Sequence, residues 1–179
     1  MNIIQGLVQS AQKPTTNPHV GEAFHIWTLS VEVGETRALL KVMLNHTNDA
    51  DLKEWIEHFI DDLLEPMGKR IREFMQNEGI NAPEVSAEVA KADERLIPPG
   101  AKVSDVLLAQ MLVVKVVGLL EWTHRSTVHS LRPDIGPMCN GFYNHLLTQG
   151  YTLRTLMRKR GWLHIPPYYD GGAPDQEPQ

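Results

Sequence analysis

Glu22 and His25 stand three residues apart, so on a helix they present a carboxylate and an imidazole to one side. Far along the chain, Glu121-Trp122-Thr123-His124 repeats the Glu-x-x-His spacing. In helical metalloproteins with carboxylate ligands, such a pair lets one helix offer an oxygen and a nitrogen to the same ion. On a wheel of 100° per residue, His25, Leu29, Glu32, Leu39, Leu40 and Met43 fall within about 60° of one direction, which puts Glu32 on an apolar stripe. A buried carboxylate is costly without a charged or metal partner. Glu22, His25, Glu32, Glu121 and His124 are therefore the candidate ligands of a divalent transition metal, and imidazole with carboxylate suits iron, zinc or manganese alike. The other reading of the same residues is a hydrogen-bonded core network around the first pair, with the second pair facing solvent or a subunit contact.

Other chemistries find less. A full dinuclear site draws ligands from four helices, and the last segment offers only Asp134 near its start, with Asn140, Asn144 and His145 beyond. His58, Asp62 and Glu65 lie on a flank about 100° from the apolar centre of Leu52, Ile56, Phe59 and Met67, a solvated or half-buried position. Cys139 has no base at helical spacing, and a lone cysteine forms no internal disulfide. The isolated glycines make no phosphate-binding loop. No catalytic constellation emerges, and the reading is non-enzymatic.

The composition agrees. In 179 residues, 42% are hydrophobic and 22% charged, which fits one globular domain and excludes disorder of the whole chain. The formal charge of −5 and the lack of a dense Lys/Arg block argue against nucleic acid and anionic membranes as partners. Met1 to Gln12 lacks the charged start and apolar run of a signal peptide, so a cytoplasmic location is expected. Val106 to Trp122 is apolar over most of its length, but Gln110, Lys115 and Glu121 interrupt it, and a buried bundle helix is the better reading than a membrane span.

Four segments with 3.6-residue periodicity must position these residues, and none shows strand alternation. The first is expected from about Pro18 to His46, capped by Asn17, and the second from about Ala50 to Glu78, capped by Asn48 or Asp49, ended by Gly79 and kinked at Pro66. Ser104 caps the third, which runs to about Ser130, and the fourth ends at Gly161 after three cations. Between the second and third lies a connection over 79–103, with a short helical turn expected around Val85 to Ala92. Extended, it could reach roughly 80 Å, whereas helices of this size are about 40 Å long. It can therefore traverse the bundle. Two antiparallel hairpins joined by one long crossover form the all-α, ferritin-like four-helix bundle. The expected division is an extension over 1–17, the bundle over 18–161, and an aromatic, Pro-rich arm with a flexible tail over 162–179.

The third helix is apolar on more than one face, from Val106, Leu107 and Leu108 through Met111 and Leu112 to Leu119 and Leu120. It must be covered by the crossover and C-terminal arm or by a second subunit. Trp162, Tyr168 and Tyr169 offer aromatic surface, docked on the chain's own bundle, on a neighbouring subunit or on a polyproline-binding partner. A homodimer burying helix three or the tail is expected.

The chain also resembles a family of ferritin-like helical proteins from spore-forming bacteria, some of them named for the spore coat. The resemblance spans Glu22 to Tyr168. It rests on Ile26-Trp27-Thr28 followed by Leu40-Lys41, on Glu78-Gly79 leading to Pro83, on Ser130-Leu131-Arg132-Pro133-Asp134-Ile135, and on Gly161-Trp162 running into Pro166-Pro167-Tyr168. It implies a four-helix bundle, often in tandem copies, with no established enzyme activity, so a chain holding one copy is expected to pair with another. Deposition on the spore coat, beside other coat proteins, is implied in the same way. It lends no support to a metal centre, because His25, Glu32 and His124 stand where members of that family often carry other residues.

Overall fold

The computed structural model describes residues 14, 16–87, 89–92, 95 and 97–169. Most of the expected extension over 1–17 and the tail beyond 169 lie outside them. Among the described residues the chain is helical and has no strand. Helix α1 is Val20–His46. Helix α2 covers residues 50–77 as one rod made of Ala50–His58, a π-helical turn at Phe59–Leu64, and Glu65–Asn77. Helix α3 is Asp105–Val128 and α4 is Ile135–Arg160.

Four of the expected boundaries follow from the capping chemistry. The Asp49 side chain accepts the Leu52 N–H at the start of α2, and Ser104 accepts the Leu107 N–H at the start of α3. Gly79 and Gly161 end α2 and α4 with φ of 68° and 71°, the left-handed geometry that favours glycine. The start of α1 corrects the expectation of an Asn17 cap. His19 is the cap: its Nδ1 accepts the N–H groups of Gly21 and Glu22, and Glu22 returns a bond to the His19 N–H. This is a capping box with imidazole in place of the usual hydroxyl. Pro66 follows the π-helical turn, where the i→i−4 ladder is already broken by the bond from the Glu65 N–H to the Ile60 carbonyl.

The ends of the helices show the topology. Thr47, just after α1, donates to Asp105 at the start of α3, while Ser130, just after α3, donates to Glu22 at the start of α1. Helices α1 and α3 are therefore antiparallel. Asp49 at the start of α2 meets Arg160 at the end of α4, so those two are antiparallel as well. Helices α2 and α3 run the same way, and the crossover spans the length of the bundle between them. This is the ferritin-like arrangement.

The crossover lies over the groove between α1 and α2. Val85 packs onto Gly34, Ser86 donates through its N–H and hydroxyl to Glu35, and Asn45 bonds the Ala90 carbonyl and the Ala92 N–H. These contacts correct the expected helical turn around Val85 to Ala92, whose described residues carry no helix; a short 3-10 turn follows at Pro99–Ala101. The described part of the crossover therefore lies away from the outer face of α3.

The core runs the length of the bundle, from Ile26, Leu29 and Leu40 of α1 through Ile56, Phe59 and Ile71 of α2 to Leu112 and Leu119 of α3 and Leu146 and Met157 of α4. On α1 the buried stripe is Glu22, Ile26, Leu29, Val33, Thr36, Leu40 and Met43. Its centre is thus rotated from the one expected, and His25 and Glu32 lie half-buried on its flank.

Candidate functional site

The five candidate ligands separate into three environments. Glu22 is 2% exposed. Its Oε1 accepts hydrogen bonds from the Leu131 N–H at 2.7 Å, the Arg132 N–H at 2.8 Å and the Ser130 hydroxyl at 3.1 Å, and its Oε2 accepts the His19 N–H at 2.9 Å. Burial works against the charge, but the N–H groups of Arg132, His19 and Leu131 with the Ser130 hydroxyl outweigh it and hold the carboxyl below its ordinary value. Glu22 thus fastens the α3–α4 loop to the start of α1.

His25, one turn on, is half-buried among rings. Its centroid lies 5.5 Å from His129, 5.9 Å from Phe24 and 6.3 Å from Trp122. Desolvation, together with the neighbouring His129, Arg125 and His19, pushes its pKa down and favours the neutral ring. Glu32 lies two turns further along α1 on the same flank. Glu121 and His124 are exposed on α3, and the His124 ring lies 6.2 Å from Tyr143 of α4. Among the described residues, no three or more His, Cys, Asp or Glu side chains converge as metal ligands.

The densest polar cluster instead centres on Arg132, which belongs to no chemical motif legible in the sequence. Its side chain is 5% exposed, and the guanidinium bonds both oxygens of Glu78 at 2.8 and 3.1 Å and both oxygens of Asp134 at 3.0 and 2.6 Å. One more N–H reaches the Thr16 carbonyl at 3.2 Å, and the Phe74 ring lies beneath the guanidinium carbon at 5.3 Å. The hydrogen bonds that Arg132 donates to Asp134 and Glu78 raise its pKa further, and Arg132 in turn overcomes desolvation to lower that of Asp134. A planar fork with all its donors engaged between two carboxylates is a clamp. It joins the end of α2, the α3–α4 loop and the segment before α1. The signal in the sequence was Ser130-Leu131-Arg132-Pro133-Asp134-Ile135, which stood out as a family resemblance and not as chemistry.

The opposite end of the bundle has a second clamp. Arg160 bonds Asp49 at 2.7 Å and Asp51 at 2.9 Å, and Lys159 reaches Asp51 at 2.9 Å. Of the surface depressions, one of about 550 Å³ lies between α2 and α4 beside Pro66, Arg70, Phe142 and His145. Another of about 560 Å³ lies under the crossover beside Lys41, Lys53, Lys91 and Glu57. Neither contains a nucleophile with a base. The Cys139 thiol is fully buried, and desolvation pushes it up to about 12, so it stays protonated and unreactive.

The arrangement thus combines ferritin-like topology with polar side chains that hold helix ends together. A model of a protein family of unknown function, DUF3231, matches residues 9–171. The chain belongs to the DUF3231 family. The uncharacterised protein YvdQ of Bacillus subtilis is 27% identical over 151 residues, covering 84% of this chain and 88% of YvdQ. A crystal structure from Bacillus halodurans, described as a "putative spore coat protein", is similar with a TM-score of 0.83 at 24% identity, covering 87% of this chain and 97% of that one. A two-domain protein of Anabaena variabilis with DJ-1/ThiJ/PfpI-like and ferritin-like domains is similar with a TM-score of 0.57 at 12% identity, over 86% of this chain and 42% of that one. The resemblance drawn from the short motifs therefore holds, and this DUF3231 chain has the ferritin-like bundle it implied.

Proposed function

We propose that this DUF3231 chain is a non-enzymatic structural protein that is made in the cytoplasm and deposited on the bacterial spore coat, where it acts by association with other proteins. The observation that carries this reading is how its chemically able side chains are used. Glu22, Arg132, Glu78 and Asp134 hold the helix ends in place, while α3 turns apolar side chains outward. A rigid bundle with a bare apolar face is suited to assembly. The likeness to the Bacillus halodurans protein supports the coat as its destination. A metal centre on the two Glu-x-x-His pairs gains no support from their positions, because Glu22 already accepts four hydrogen bonds and Glu121 and His124 lie on the outer surface.

A fluorescent fusion expressed from the native promoter tests the reading. The expected result is a signal that moves from the mother-cell cytoplasm to a ring around the developing spore. A signal that stays diffuse until the spore is released would overturn it.

A further inference from the structure

The outer face of α3 carries residues 107, 111, 114, 118, 121, 125 and 128, spaced alternately by four and three. These residues share one side of the helix, with about one side chain per turn facing whatever helix is laid along it. Within this chain α3 has already met its neighbours through a different face, where Leu108, Leu112, Val116 and Leu119 enter the core. The outer seam is left in the open. Val114 is 70% exposed and Leu107 52%, and Val106, Met111 and Val117 are exposed beside them. At Gly118 an added Cβ would meet nothing within 4 Å, so the backbone itself is bare.

The described parts of the chain do not cover this seam. The crossover lies over α1 and α2, and the C-terminal arm reaches α3 at its edge, where Gln110 donates to the Trp162 carbonyl at 2.8 Å. Beyond it, Tyr168 and Tyr169 point into solvent.

We propose that this seam is the contact between two copies of the chain, with the α3 helices crossing antiparallel about a two-fold axis between Met111 and Val114. In that register Met111 meets Val114 of the second copy. Leu107 covers the bare backbone at Gly118 of the second copy. Glu121 comes to the amino-terminal turn of α3 in the second copy, where the helix dipole is positive and favours a carboxylate. Each of these contacts occurs twice, because a two-fold interface is built from the same patch on both partners. In that register residues 105 to 120 of the two α3 helices overlap, about 22 Å at 1.5 Å per residue, and exposed Tyr151 on α4 widens the patch. A second copy fits better than a lipid surface. The seam holds Glu121 and Arg125 in line with the apolar residues, the far side of α3 is bundle core in place of a cationic face, and the net charge of −5 opposes anionic lipid.

Sedimentation equilibrium of the full chain at micromolar concentration is expected to give twice the 20.2 kDa of one copy. V114E is expected to sediment as a single copy with unchanged helical circular dichroism, because Val114 is mostly exposed in the isolated bundle, and with a melting midpoint that, unlike that of the wild type, does not rise with protein concentration. V114C treated with a short bismaleimide is expected to give a covalent dimer, and K69C, on an exposed position of α2, is not; native Cys139 is fully buried and does not compete. A wild-type chain that sediments as a single copy would overturn the proposal. So would a dimer that V114E leaves intact, or a single copy that floats with phosphatidylethanolamine/phosphatidylglycerol vesicles.

Discussion

The carboxylate of Glu22 accepts the backbone N–H of Arg132 at 2.8 Å across a separation of 110 residues, while the Arg132 side chain holds Glu78 and Asp134. One loop is thus fastened twice, by its backbone to α1 and by its guanidinium to the end of α2. The same two residues explain why a buried carboxylate and a buried guanidinium, each costly alone, are retained together at one end of the bundle.

Replacing Glu22 by Gln removes a charged acceptor and leaves donors short of partners in a closed site. The expected loss is about 3 kcal/mol in urea unfolding. Because the role is structural, the loss should be the same after chelation and after added iron, zinc or manganese. Glu121→Ala, on an exposed position, should change stability by less than about 0.5 kcal/mol. A metal-dependent difference at either position would contradict the hydrogen-bonding role.

Glu22 and His25, two of the groups with lowered folded pKa values, act in separate pH windows. For Glu22, the stabilisation is present above the ordinary carboxyl pKa of 4.5 and is lost as pH falls below it, so wild type and Glu22→Gln should converge in acid. His25 acts in a higher window. Its folded pKa lies below the ordinary 6.5, so the unfolded chain takes up a proton first, and stability should start to fall as pH drops through 6.5. His25→Gln should flatten that upper limb and leave the lower one. Thermal melts from pH 8 to pH 3 measure both.

Arg132→Met would leave Glu78 and Asp134 facing each other across a nearly closed site. Breaking a buried pair on one side costs about 3–5 kcal/mol. Adding Glu78→Gln and Asp134→Asn to Arg132→Met should recover part of that loss, and urea unfolding of the triple variant beside Arg132→Met reads it directly.

At Gly34 a Cβ would come 2.6 Å from Val85 Cγ1. Since Val85 belongs to an exposed strap and Gly34 to the middle of α1, the strap is expected to give way. Gly34→Ala should lower global stability by less than about 1 kcal/mol yet speed limited proteolysis within residues 82–92 several-fold. Adding Val85→Ala should restore protection.

What the sequence determined by itself was local. Ser104 and Asp49 as caps, Gly79 and Gly161 as helix ends, the four apolar periodicities and the long connection between the second and third follow from bonds a residue makes within a few positions of itself, and they dictate the topology. What the tertiary structure decided was where distant groups find partners. Val85 to Ala92 had local reason to turn into a helix, but the side chains of Glu35 and Asn45 take the backbone groups a helix would have used. On α1, a 27-residue helix with apolar residues around much of its circumference admits several core stripes, and only packing against both α2 and α3 selects the one centred on Ile26, Val33 and Thr36. Glu22 shows the same division. Its spacing from His25 pointed to a shared metal, yet three of its four donors come from Ser130, Leu131 and Arg132, which the fold of the whole chain carries to it. A buried charge is satisfied by whichever donors surround it, and the spacing of neighbours along one helix does not contain that information.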